Sequence, residues 1–127
     1  MVWFRSINEV KKMREYIPKS KSIRPEVWKR ITSVIKDYKQ LTAEYKAIRS
    51  LNENERNRLR ENEVSRKIFA FDYVWSNTDE ETRQLIELKF MKGKTYRDMW
   101  LPMSESTMKR MVKKFVRELG RQLGEID

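Results

Sequence analysis

The side chains best placed to do chemistry lie between Thr78 and Gly124. Lys109, Arg110, Lys113, Lys114, Arg117 and Arg121 alternate there with Met108, Met111, Val112, Phe115 and Leu119, whose spacings of three, one, three and four make one buried helix face. A helix with apolar residues behind it and cations ahead of it suits the major groove of a duplex, where phosphates attract and base edges specify. The same cations could equally be a solvated surface. What favours the groove is their setting in a strongly basic chain: capped helix, glycine, short helix, tight turn, capped basic helix.

Other chemistries find little support. Carboxylates gather at Asp79-Glu80-Glu81 and at Glu53 and Glu55, and such groups can bind magnesium or transfer protons. The first set is better explained by the positive end of a helix, and the second lies in a solvated run. The chain has no His and no Cys, so the commonest general base, the thiolate metal ligands and the disulfides are all missing. Its three glycines are isolated, so no phosphate-cradling loop exists. The expectation is a protein without catalysis, cofactor or metal.

The elements that must position the basic helix are signposted. Thr78 and Glu81 form a capping box ahead of Leu85, Ile86, Leu88 and Phe90, and Gly93 follows Lys92 where a helix would end left-handed, predicting a helix over 79–92. Thr95 can cap a short helix through Tyr96, Arg97, Asp98, Met99 and Trp100, and Pro102 forces a turn. Ser104 then caps the basic helix, which runs for about five turns. Met99, Trp100, Met108, Met111 and Phe115 are expected to hold the two helices at their angle.

The run from Phe90 to Met99, followed by Ser104-Glu105-Ser106-Thr107-Met108-Lys109, resembles the fourth region of bacterial sigma factors, and more closely small phage transcription regulators of the RinA and ArpU type. The resemblance covers roughly the last 50 residues. It departs from the pattern at Leu101-Pro102-Met103, where those families place about two more residues and often a glycine, so the second helix is expected to be shortened. It implies a phage regulator, an activator of late genes, that binds promoter DNA and touches host RNA polymerase. Carried over residue by residue, it implies base reading by Glu105, Ser106, Lys109, Arg110 and Lys113. With Ser104, Lys114 and Arg117 along the same helix, and Thr95, Tyr96 and Arg97 meeting phosphates at the start of the supporting helix, these residues make up the expected DNA-binding site.

Composition fits this reading. Twenty-nine Lys and Arg against nineteen Asp and Glu give a net charge of +10 over 127 residues, which favours association with polyanions by counterion release. Charged residues make up 38% of the chain and leave a limited core, so the fold should depend on packing along an extended axis or on oligomerisation. No apolar run approaches a membrane span, and a bacterial cytoplasmic location is expected.

Upstream, Trp3, Ile7, Val10, Met13 and Ile17 have helical spacing until Pro18 stops them. That amphipathic helix is expected to pack on the rest of the fold rather than lie on a membrane. A basic linker follows over 19–24. Pro25 opens the most regular helix of the chain, where Val27, Ile31, Val34, Tyr38, Leu41, Tyr45 and Ile48 alternate spacings of four and three. Such a seam serves a homodimer or an intramolecular bundle equally well, and Trp28 and Ile35 widen it towards the bundle. Asn-rich residues 52–67 offer only Leu59 and Val64 to bury, with a break expected near Leu51 to Asn54. A last helix carrying Ile68, Phe69, Phe71, Val74 and Trp75, ending at Ser76-Asn77, should pack on Leu85, Leu88 and Phe115.

The fold predicted is all-α: a helical, coiled-coil-like arm over 1–54, then a helix-turn-helix bundle over 55–127. The favoured partner is double-stranded DNA. A phage terminase small subunit that recognises DNA for packaging is the first rival function, and a helical protein-binding adaptor is the second.

Overall fold

Pro25 occupies the first turn of helix α1, Pro25–Lys36, where its missing N–H would be unpaired in any helix. A computed structural model describes residues 22–127, so the amphipathic helix expected over 2–17 and linker residues 19–21 lie outside the described residues. Helix α2 spans Tyr38–Arg49, α3 Arg58–Ser76, α4 Glu80–Ile86, and α5 Glu105–Leu123. The described residues form an all-α protein with no strand. None of these helices is long and apolar enough to cross a membrane.

The single long helix expected from Pro25 to Ile48 is broken at Asp37, whose φ of −95° and ψ of 4° leave helical geometry. The break lets the two halves serve different neighbours: α1 packs on α5 and on the turn over Glu87–Met91 that follows α4, while α2 packs on α3. Ile31, Val34 and Leu41 are buried in the chain's own core, with Val27, Tyr38 and Tyr45 packed against it and Ile48 half-buried. The seam is thus covered from within.

Helices α2 and α3 run antiparallel. At one end the Tyr38 hydroxyl donates to Asp72 at 2.6 Å, and burial followed by that carboxylate pushes the phenol up to about 12. At the other end Arg49 meets Glu61 at 3.4 Å. The break expected near Leu51 to Asn54 is present: a 3₁₀ turn, Glu53–Glu55, stands between the helices, and the Asn57 side chain then accepts from the Arg60 amide to cap α3. Glu61 is buried, unlike most carboxylates, and draws three guanidiniums, Arg49 and Arg58 at 3.4 Å and Arg56 at 3.7 Å. Arg56 also donates to the carbonyls of Arg49 and Leu51, so one carboxylate ties the connection shut. Leu59, expected to offer buried surface, is turned outward, whereas Val64 is fully buried.

Helix α3 packs antiparallel on α5 through rings. Phe71 lies 4.4 Å from Tyr38, 5.2 Å from Trp75 and 6.1 Å from Phe115 between centroids, so the expected contact of α3 with Phe115 is present. The core runs unbroken from α1 to α5 across the boundary expected at residue 54. Each fully buried Ile or Leu in it contributes roughly 1.5–3 kcal/mol.

At Gly120 helices α1 and α5 approach closely. A Cβ built there would stand 2.6 Å from Ile31 Cδ1 and 3.1 Å from Ile126. The helix continues past Gly120 to Leu123 and is closed there: Gly124 turns left-handed at φ 78°, and the Glu125 amide returns to the Gly120 carbonyl at 2.9 Å, a Schellman closure. The Glu125 carboxylate then meets Arg30 at 2.9 Å, which fastens the tail to α1.

Two stability outcomes follow from these contacts. Gly120→Ala should destabilise by about 1 kcal/mol despite its better helix propensity, because overpacking against fully buried Ile31 outweighs it. Adding Ile31→Val should cost less in that background than alone, and additive thermal denaturation would contradict the clash. Glu61→Ala should cost about 2 kcal/mol, less than a fully buried ion pair because Arg49 and Arg58 are more than half exposed.

Candidate nucleic-acid interface

The helix ahead of the expected site begins one residue later than its capping pattern suggested. Asp79, not Thr78, is the N-cap, and its carboxylate accepts from the Thr82 amide at 3.0 Å. The Thr78 hydroxyl instead closes α3 by donating to the Val74 carbonyl. Hydrogen bonds from the side chain and then the backbone of Thr82, with Lys114 nearby, hold the Asp79 carboxyl below the usual carboxylate range.

The last turn of this helix widens into a π-helical turn over Glu87–Met91, where the Lys92 amide reaches back five residues to Glu87 at 3.0 Å. Gly93 follows at φ 68°, and the Lys94 amide closes on Leu88 at 2.9 Å, so the predicted glycine stop is present.

The expected second helix is reduced to one 3₁₀ turn, Tyr96–Asp98. Thr95 gives no side-chain cap; its hydroxyl donates to the Asp98 carboxylate at 3.0 Å. Pro102 then has its effect, for the Met103 amide bonds to the Leu101 carbonyl at 2.8 Å around it, a three-residue turn. Met99 and Met108 are buried, as expected of residues that set the angle between the turn and α5. Trp100 is not: it is 91% exposed, with its backbone left-handed at φ 55°. The expectation that it wedges the two elements together is wrong, because the chain turns outward one residue after Met99.

Ser104 caps α5 as predicted, accepting from the Thr107 amide at 3.2 Å. The buried stripe of α5 is Met108, Val112, Phe115, Val116, Leu119 and Leu123, and Met111 packs against the same core. Opposite that stripe, by the 100° step of a helix, lie Ser106, Arg110, Lys113, Lys114, Arg117 and Arg121. Ser106, Arg110, Lys113 and Lys114 are exposed, and the last three take part in no ion pair among the described residues. Arg117 is half-buried and lines, with Lys113, Trp28 and Ile23, a cavity of about 130 Å³ beside the start of α1.

Two of the expected base readers are differently occupied. Glu105 and Lys109 pair with each other at 3.1 Å on the flank of α5. Tyr96 is half-buried, its ring lying 4.3 Å from the Lys89 ammonium and 6.0 Å from that of Lys109, and burial with the Glu105 charge raises its phenol. Tyr96 therefore sits between cations at the base of the turn, while Thr95 and Arg97 are exposed on it. Among the described residues no group of three or more His, Cys, Asp or Glu is placed to hold a metal ion.

A second exposed surface escaped the sequence reading. Along α3, Leu59, Asn62, Arg66, Phe69, Tyr73 and Ser76 repeat at spacings of three and four, and Leu59, Phe69 and Tyr73 are 84%, 67% and 58% exposed. Phe69, Tyr73 and Arg66 border a groove of about 650 Å³ that Gln122 of α5 closes. The spacing was visible in the sequence, but Phe69 was assigned to the buried cluster together with Phe71, which does bury.

No family model, curated protein or solved structure matches the chain.

The cap of α4 yields a pH-dependent outcome. Asp79→Ala should cost about 1 kcal/mol at neutral pH. Because the folded carboxyl lies below its unfolded value, its stabilisation is full above the ordinary carboxylate range and fades as pH falls through the folded value. The gap between wild type and variant in thermal denaturation should therefore narrow in acid and stay constant from neutral to mildly alkaline pH.

Proposed function

We propose that this chain is a sequence-specific double-stranded DNA-binding protein, a phage-type transcription regulator that presents the outer face of α5 to the major groove. The observation that carries the reading is the separation of faces on that helix: its apolar stripe is consumed by the core, and Arg110, Lys113 and Lys114 stand exposed opposite it in no close ion pair among the described residues, although the charge of Lys114 reaches the Asp79 carboxylate. A polyanion is the ligand that such a face attracts most strongly. The reduced second helix agrees with the shortened interval noted in the sequence. Promoter binding, late-gene activation and contact with host RNA polymerase rest on the resemblance to sigma region four and the RinA and ArpU regulators; a packaging subunit would use the same face.

The exposed stripe of α3 favours one further reading, a helical adaptor that binds protein through Leu59, Phe69 and Tyr73. The two readings separate in one experiment: the protein is incubated with a fragment library of its own genome at low salt, and bound fragments are recovered and sequenced. Enrichment of one intergenic promoter segment supports the regulator, a packaging-site segment supports the terminase reading, and no retained DNA leaves the adaptor. On the enriched fragment, replacing Arg110, Lys113 and Lys114 by Ala should weaken binding by at least roughly tenfold and flatten the dependence of log affinity on log salt by about 2–3, with helical content unchanged.

A further inference from the structure

We infer that Trp100 is an apolar base reader of the same interface, held out of the fold to lie against a thymine methyl group beside the phosphates gripped by α5. The inference rests on the DNA-binding reading. An indole is among the side chains that gain most from burial, yet this one is almost fully exposed although Met99 before it is buried and Leu101 after it is half-buried. Those two neighbours clamp the turn to the core and leave the ring between them outside. The backbone is also left-handed at φ 55°, a region costly for a bulky L-residue. Glycine would satisfy the turn at no such cost, so the position retains an indole against both solvation and backbone preference.

The surroundings say what such a ring would meet. Lys92, Lys94 and Arg97 share its loop and are exposed, and the one carboxylate of the loop, Asp98, is engaged by the Thr95 hydroxyl. Four residues on, Ser104 begins the helix whose outer face carries Ser106, Arg110 and Lys113. An exposed ring on a loop whose exposed charges are mostly cationic suits a polyanion with apolar patches on its edges, and in the major groove the patch that distinguishes a base is the 5-methyl of thymine. A protein hot spot would more naturally carry both signs of charge around its aromatic anchor.

The test uses the genomic duplex recovered above, titrated with the full chain. Trp100→Ala should bind roughly tenfold more weakly with an unchanged salt slope, because no phosphate contact is lost. Replacing the thymines of the site by deoxyuridine, which removes only their methyl groups, should weaken the wild type by roughly fivefold and the variant hardly at all. Trp100→Gly should match Trp100→Ala in DNA affinity while melting at a higher temperature than the wild type, which separates the role of the ring from any effect on folding. Wild-type affinity for Trp100→Ala would overturn the inference and leave the DNA-binding reading standing, and so would an equal deoxyuridine effect in both proteins. Failure of the wild type to retain any duplex at low salt would remove both.

Discussion

Burial of one stripe of α5 is the constraint on which the rest of the molecule depends. Helices α1, α3 and α4 all pack on α5, and the aromatic group around Phe71 and Phe115, the α1 contact at Gly120 and the tail closure at Gly124 all use its inner side. A helix so enclosed on one side has one face left. That face carries the cations. The charge separation along α5 is therefore a product of the core: a carboxylate or a large apolar group on the outer face would cost the fold little, whereas any change at the fully buried Val112, Val116 or Leu119 would disturb the packing.

Local chemistry made much of this legible in the sequence. Ser104 as a cap, Gly93 as a left-handed stop and Pro25 as a first-turn residue are choices a helix end makes within a few residues, whereas the stop at Gly124 was not read from the sequence. The apolar spacing from Met108 to Leu119 likewise gave the buried face of α5 directly. What the spacing from Val27 to Ile48 could not convey was the partner. The same alternation fits a second chain or the chain's own helices, and the break at Asp37, which lets α1 and α2 turn to different neighbours, has no glycine or proline to announce it. Glu61 was hidden for a related reason: its burial depends on three arginines converging from positions 49, 56 and 58, a tertiary arrangement that charge patterning along the chain does not encode.

The candidate site was legible in its residue types and less so in its roles. Of the residues expected to meet DNA, Arg110, Lys113 and Lys114 stand together on the outer face, Glu105 and Lys109 satisfy each other on its flank, and Tyr96 is drawn between two ammonium groups. Trp100 moved furthest from expectation. Its sequence position inside an apolar run suggested a wedge, but a 3₁₀ turn ends two residues before it and Pro102 follows two residues after, leaving the chain no room to fold the indole back.

The wide turn at Glu87–Met91 sets a bearing as well as an ending. It takes one more residue than an α-helical turn, so everything beyond it is rotated by about 100° about the helix axis from where a regular helix would have delivered it. Helix α1 rests against this turn and holds it in place. The segment that leaves at Gly93, carrying Arg97 and Trp100, thus has its compass heading fixed by a phase slip behind it.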